Sequence, residues 1–156
     1  GVEQNALFFR RVSETDADGC LLWEYEHGAY PACGEDIDHA SCQVLFAERC
    51  AADGVLFGEQ DLARIGATFE RRIFRHGDVP CGTLRGFEPG IHPGVVAWSS
   101  LCRFAPHLFP RVEAVVAAAM AGKPALFREG WGARVLTALE STRAALATRT
   151  GRKDQA

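Results

Sequence analysis

From about residue 37 onward the apolar residues of this chain recur at the spacing of a helix rather than the alternation of a strand, and that period limits the fold to packed helices. Ala40, Val44, Ala47 and Ala51 stand at i, i+4, i+7 and i+11, one face of a helix predicted over 39–53. Asp38 is its candidate N-cap and Gly54 its candidate stop. Leu62, Ile65, Phe69 and Ile73 form the stripe of a second helix over 59–76, with Arg64, Arg71, Arg72 and Arg75 on its wet face and Gly77 at its end. The short link between the two predicts an antiparallel hairpin. A short helix is expected over 96–104. Pro110 suits the first turn of the next helix, where its missing N–H costs nothing. That helix carries Val112, Val115, Val116, Ala119 and Met120 and stops at Gly122. A last helix over 131–148 has Val135, Leu136, Leu139 and Leu146 on one side.

Two segments lack this period. The first 37 residues read as irregular: Leu7, Phe8 and Phe9 make an apolar patch, Asp16, Asp18 and Gly19 a turn, and 21–25 a short strand or extended piece. His27, Gly28, Pro31 and Gly34 then break any regular element. Residues 77–95 form a long Gly- and Pro-rich connection, a type of loop that is often functional in compact domains. The predicted fold class is all-α: antiparallel helical hairpins with an irregular N-terminal segment and a long Gly/Pro-rich loop. One helical domain over 1–150 is followed by a polar tail, 151–156. A chain of 156 residues removes roughly 68–70% of its unfolded surface from water, enough for a real core.

The formal net charge of −3 argues against a nucleic-acid partner, which would favour a basic face. No apolar run approaches the roughly 18 residues that span a bilayer, so a soluble protein with no membrane partner is expected. The chain opens at Gly1 with no charged and then apolar leader, and we expect a piece of a longer protein rather than a processed start. Compartment stays open. The cysteines, Cys20, Cys33, Cys42, Cys50, Cys81 and Cys102, contain no C-x-x-C pair and read most simply as small buried hydrophobes. His76, His92 and His107 with Cys81 lack metal spacing. No metal and no cofactor is therefore expected. Neither a phosphate-loop fingerprint nor a G-x-S-x-G elbow is present.

The most polar spot beside a predicted buried helix is Glu35, Asp36, Asp38 and His39. A carboxylate next to an imidazole is a workable acid/base pair, since the acid holds the ring's tautomer and raises its pKa. The bland alternative is that Asp36 or Asp38 only caps the helix, with His39 in its first turn. Trp23, Tyr25, His27 and Tyr30 form an aromatic and polar run upstream; they are candidates to stack on sugar rings, or to pack as core. Trp98 carries the same two readings.

The stretch 23–72 resembles a segment of α/α-toroid proteins, the six-hairpin glycosidase-like group that includes polysaccharide lyases. The matching residues are Glu35-Asp36-Ile37-Asp38-His39-Ala40, Gly54-Val55-Leu56-Phe57, Asp61-Leu62-Ala63-Arg64 and Thr68-Phe69. Asp38 departs from the pattern, which commonly has Ser or Thr before the His. The resemblance implies that these helices are part of an α/α toroid, that an oligosaccharide or polysaccharide is the partner, and that Asp36 and His39 face its funnel. Tyr25, His27, Asp36 and His39 are then the candidate catalytic residues, and Trp23, Glu35, Arg85 and Trp98 the candidate substrate-binding ones. A lyase must neutralise a uronate carboxylate, which Arg85 or Arg103 could do through a bidentate contact. A hydrolase needs two flanking carboxylates, and Glu26, Glu35 and Asp36 could supply them. Two or three hairpins do not close a toroid, so self-association or a missing N-terminal region is expected. The rival functions are a non-catalytic helical interaction module and a toroid fragment without independent activity.

Overall fold

The computed structural model describes residues 1–24, 35–122 and 130–153. Most of these are helical. The chain opens with a helix, α1 (Val2–Val12), where irregular chain was expected. Ala6 and Phe9 face inward while Val2, Leu7 and Phe8 stay exposed. With the half-buried Val12, Ala6 and Phe9 make a stripe of three, too short to stand out in the sequence beside Leu7 and Phe8. Glu3 in its first turn and Arg10 and Arg11 in its last complement the helix dipole.

Two short strands follow, β1 (Glu14–Thr15) and β2 (Leu21–Leu22), paired antiparallel with Glu14 opposite Leu22. The turn between them is tied by Asp16, whose Oδ1 accepts the N–H groups of Asp18 and Cys20, each at 2.9 Å.

Helix α2 (Ile37–Ala52) and helix α3 (Glu59–Thr68) lie where the period placed them. α3 runs on into a π-helical stretch, Phe69–Ile73, and the wider turn is closed by Phe74 N–H donating to Phe69 O at 3.1 Å. α2 and α3 touch, but α2 packs far more extensively against a 3-10 helix, Pro93–Arg103. That segment is 3-10 and starts at Pro93, three residues ahead of the short helix expected over 96–104. It is also the hub of the core, with Val95, Val96, Trp98, Leu101 and Cys102 wholly inaccessible. After a 3-10 turn, Pro106–Leu108, come α4 (Phe109–Gly122) and α5 (Gly130–Lys153), both seated on the same hub. α5 extends through Gly151 to Lys153, so the expected polar tail begins as helix. No helix of the described residues is long and apolar enough to cross a membrane.

A column of rings crosses the core. Phe9 meets Trp23 edge-on at 5.0 Å, Trp23 stacks on Trp98 at 6.1 Å, and Trp98 stacks on Phe69 at 5.6 Å. Such pairs contribute about 0.5–1.5 kcal/mol each beyond area burial. This column corrects the sugar-contacting role expected of Trp98. Its ring is sandwiched between Trp23 and Phe69 with no exposed surface, because three elements converge on it.

The connection over 77–95 is ordered by backbone pairing with the start of α2. Ile37 N–H donates to Gly82 O at 2.8 Å and Leu84 N–H donates to Glu35 O at 2.9 Å, flanking a bridge between Asp36 and Thr83. Cys81, Gly82, Thr83 and Leu84 are buried as a result.

Candidate functional site

That bridge holds Glu35 and Asp36 at the mouth of α2. Glu35 has its backbone tied on both sides, its N–H to Trp23 O at 3.2 Å and its carbonyl to Leu84. Its side chain is therefore turned inward and only 4% exposed. Carboxylate oxygen Oε2 has no hydrogen-bond partner among the described residues. Burial pushes the Glu35 carboxyl up to about 7, and the neighbouring Asp36 charge pushes the same way.

Asp36 is the N-cap of α2, correcting the expectation for Asp38. The backbone of Asp36 is still extended, with φ −73° and ψ 153°, so its side chain can fold back over the first turn. Oδ1 accepts the N–H groups of Asp38 and His39 at 3.1 and 3.0 Å. Oδ2 meets His39 Nδ1, which the one-turn spacing of Asp36 and His39 brings over it. Partial burial pushes the Asp36 carboxyl up, but the His39 ring and the two N–H groups outweigh it and leave the group below its ordinary range. The hydrogen bond and charge of Asp36 raise His39 in turn. Asp38 sits in the first turn instead, where its Oδ1 accepts Gly94 N–H at 2.8 Å and so joins α2 to the 3-10 helix.

Glu35, Asp36 and His39 thus converge, each offering a carboxylate oxygen or ring nitrogen within 4.8 Å of the others. This is a potential metal-ligand set that spacing alone did not reveal, since the expectation was that no metal is bound. Asp36 and His39 could have been paired from helical spacing. The inward turn of Glu35 could not, because it depends on residues 81–84, far away in sequence.

The remaining described candidates, Trp23, Arg85 and Trp98, are engaged by other parts of the fold. Tyr25 and His27 are outside the described residues. Trp23 is buried at 3% exposure in the ring column and also lines an apolar pocket of about 300 Å³ with Phe8, Phe9, Val12 and Phe46, on the α1 side of α2. Arg85 is engaged by Glu14 at 2.9 Å and Glu24 at 3.4 Å, so its guanidinium is already neutralised by carboxylates of the protein. Arg103 bonds Glu48 at 2.9 Å and lies over the Phe104 ring. His92 contacts Glu88 O at 3.0 Å, and His107 meets Glu70 at 3.1 Å.

No family model matches the chain, and no curated protein or solved structure is significantly similar to it.

Proposed function

We propose that the chain is a carbohydrate-active protein that takes acidic polysaccharide at the mouth of α2, with its helices forming part of an α/α toroid. The observation that carries this reading is the divided role of Asp36: one oxygen secures the helix start while the other orients the His39 ring. A carboxylate on Nδ1 fixes the orientation of the ring and stabilises the imidazolium that forms when the ring takes up a proton. The His39 side chain is 66% exposed, so a polymer too large for a closed pocket can reach it.

Proton abstraction beside a uronate carboxylate suits this arrangement better than hydrolysis. Oxygens of Glu35 and Asp36 lie within 4.8 Å, closer than the roughly 5–9.5 Å separations that glycosidase carboxylates keep. In an elimination, His39 takes the proton next to the uronate carboxyl, the electron pair forms a double bond as the adjacent C–O bond breaks, and the departing glycosidic oxygen takes a proton from water.

The test is absorbance of unsaturated product from a panel of uronate-containing polysaccharides. His39→Ala and Asp36→Asn are expected to lower turnover by about 10²–10⁴-fold. Asn keeps the cap, so Asp36→Asn separates orientation of the ring from helix stability. Full activity in His39→Ala, or neither turnover nor binding of any such polymer by the intact protein, overturns the reading.

A second reading, a helical interaction module, draws on α1, where Val2, Leu7 and Phe8 are 55–64% exposed. Sedimentation decides it. Association that Phe8→Glu abolishes supports it, and a monomer at all concentrations removes it.

A further inference from the structure

We propose that Glu35, Asp36 and His39 form a binding site for a divalent transition-metal ion of the Zn²⁺ class. The three side chains present two carboxylates and one imidazole within 4.8 Å of one another. A second observation points to a ligand. Glu35 is 4% exposed and its Oε2 has no partner among the described residues, although it lies in a cluster of potential ligand atoms. A buried carboxylate oxygen without a partner loses its hydration and gains nothing in return. A cation is the group that compensates both that oxygen and the adjacent negative charge of Asp36.

The donor set selects the ion. Calcium and magnesium favour all-oxygen shells, whereas a mixture of imidazole and carboxylate suits zinc and its neighbours. Three protein donors are the number that an open zinc site uses, leaving a further position for water or for an oxygen of a bound molecule. The framework is fixed before the ion arrives. The Asp36–Thr83 bridge and the Trp23 and Leu84 hydrogen bonds hold the backbone of Glu35 and Asp36, and Oδ1 of Asp36 is anchored by the first turn of α2.

Proton accounting is simple. Zn²⁺ takes lone pairs from the carboxylate oxygens and from a ring nitrogen of His39. The neutral His39 ring keeps its one proton on the nitrogen that does not face the ion, while the second proton of an imidazolium, with any proton on Glu35, passes to the buffer. The inference goes beyond the proton-transfer reading and does not rest on it, because binding is read without substrate. The two states exclude one another, since the metal occupies the groups that would move the proton.

Calorimetric titration of the chelator-treated full chain with Zn²⁺ tests the site, and Co²⁺ absorption identifies the donors. One saturable equivalent is expected, weakened at least tenfold in both Glu35→Gln and His39→Gln, with a Co²⁺ spectrum free of thiolate charge transfer. Circular dichroism of both variants checks that the helices persist. The proposal is overturned by the absence of saturable Zn²⁺ binding, by unchanged affinity in folded variants, or by a thiolate band that assigns the metal to cysteine. Loss of polysaccharide turnover in His39→Ala alongside absent Zn²⁺ binding would remove the metal site and leave the proton-transfer reading standing.

Discussion

Gly94 donates its backbone N–H to Asp38 Oδ1 at 2.8 Å, across the seam between α2 and the 3-10 helix. A β-carbon at Gly94 would overlap that same oxygen and come within 2.9 Å of both Asp38 Cα and Ser41 Oγ. Ser41 is wholly buried and itself donates to Gly94 O at 2.8 Å, so neither neighbour can retreat freely. Gly94→Ala is expected to destabilise the protein by about 1–3 kcal/mol, the usual cost of overpacking. Urea unfolding measures it, and an unchanged midpoint would show that the seam yields.

Glu35 gives a prediction of opposite sign. Its carboxyl is raised from the ordinary 4.5 to about 7, so the folded state binds its proton more tightly than the unfolded state. Stability contributed by this group is complete at acid pH and is lost as pH rises from about 4.5 through 7. Glu35→Gln cannot ionise and should match the parent at pH 5, then exceed it by about 1–3 kcal/mol at pH 8 with chelator present. Paired melts at the two pH values decide this. A variant less stable at pH 8 would mean that the carboxylate is stabilised in a way the structure does not account for.

Asp16 runs the other way. Partial burial raises its carboxyl, but Arg72 at 2.6 Å and the N–H groups of Cys20 and Asp18 hold it below the ordinary 3.8. Its contribution is present above that value and is lost as pH falls through the depressed folded pKa. Arg72→Gln should therefore flatten the acid limb of the stability profile below about pH 4, costing about 0.5–1 kcal/mol at neutral pH. Denaturation midpoints from pH 2 to 7 test it, and identical acid limbs would contradict it.

Trp98 separates a core role from a sugar platform. Trp98→Ala should cost about 3–5 kcal/mol through lost burial and a residual cavity. A variant of parental stability with impaired polysaccharide binding would contradict the core placement.

The sequence carried the helices whose buried faces repeat over several turns, and Asp36 with His39 was legible because one helical turn brings them together. α1 was not legible, since only Ala6, Phe9 and the half-buried Val12 turn inward and Leu7 and Phe8 break the pattern. Neither was the 3-10 geometry of 93–103. Its residues are buried all round, and continuous burial leaves no period to distinguish a 3-10 from an α-helix. The inward turn of Glu35 and the locked state of Arg85 both depend on partners far away in sequence, with Glu14 supplying an ion pair to Arg85 across 71 positions. Local chemistry can rank such residues as candidates but cannot orient them.

The ring column also sets the order in which this chain must assemble. Its members come from residues 9, 23, 69 and 98; Phe9 and Trp23 can meet across the short β1–β2 hairpin, whereas Trp98 reaches Trp23 and Phe69 only when much longer loops have closed. Individual helices can flicker into existence within microseconds, and β2 can already dock on α3 through Thr68, whose hydroxyl donates to Leu21 O at 2.7 Å, yet the ring column stays open until Trp98 arrives. Helical signal should thus precede the burial of tryptophan during refolding, and the slow step belongs to the arrival of the 3-10 segment rather than to any helix.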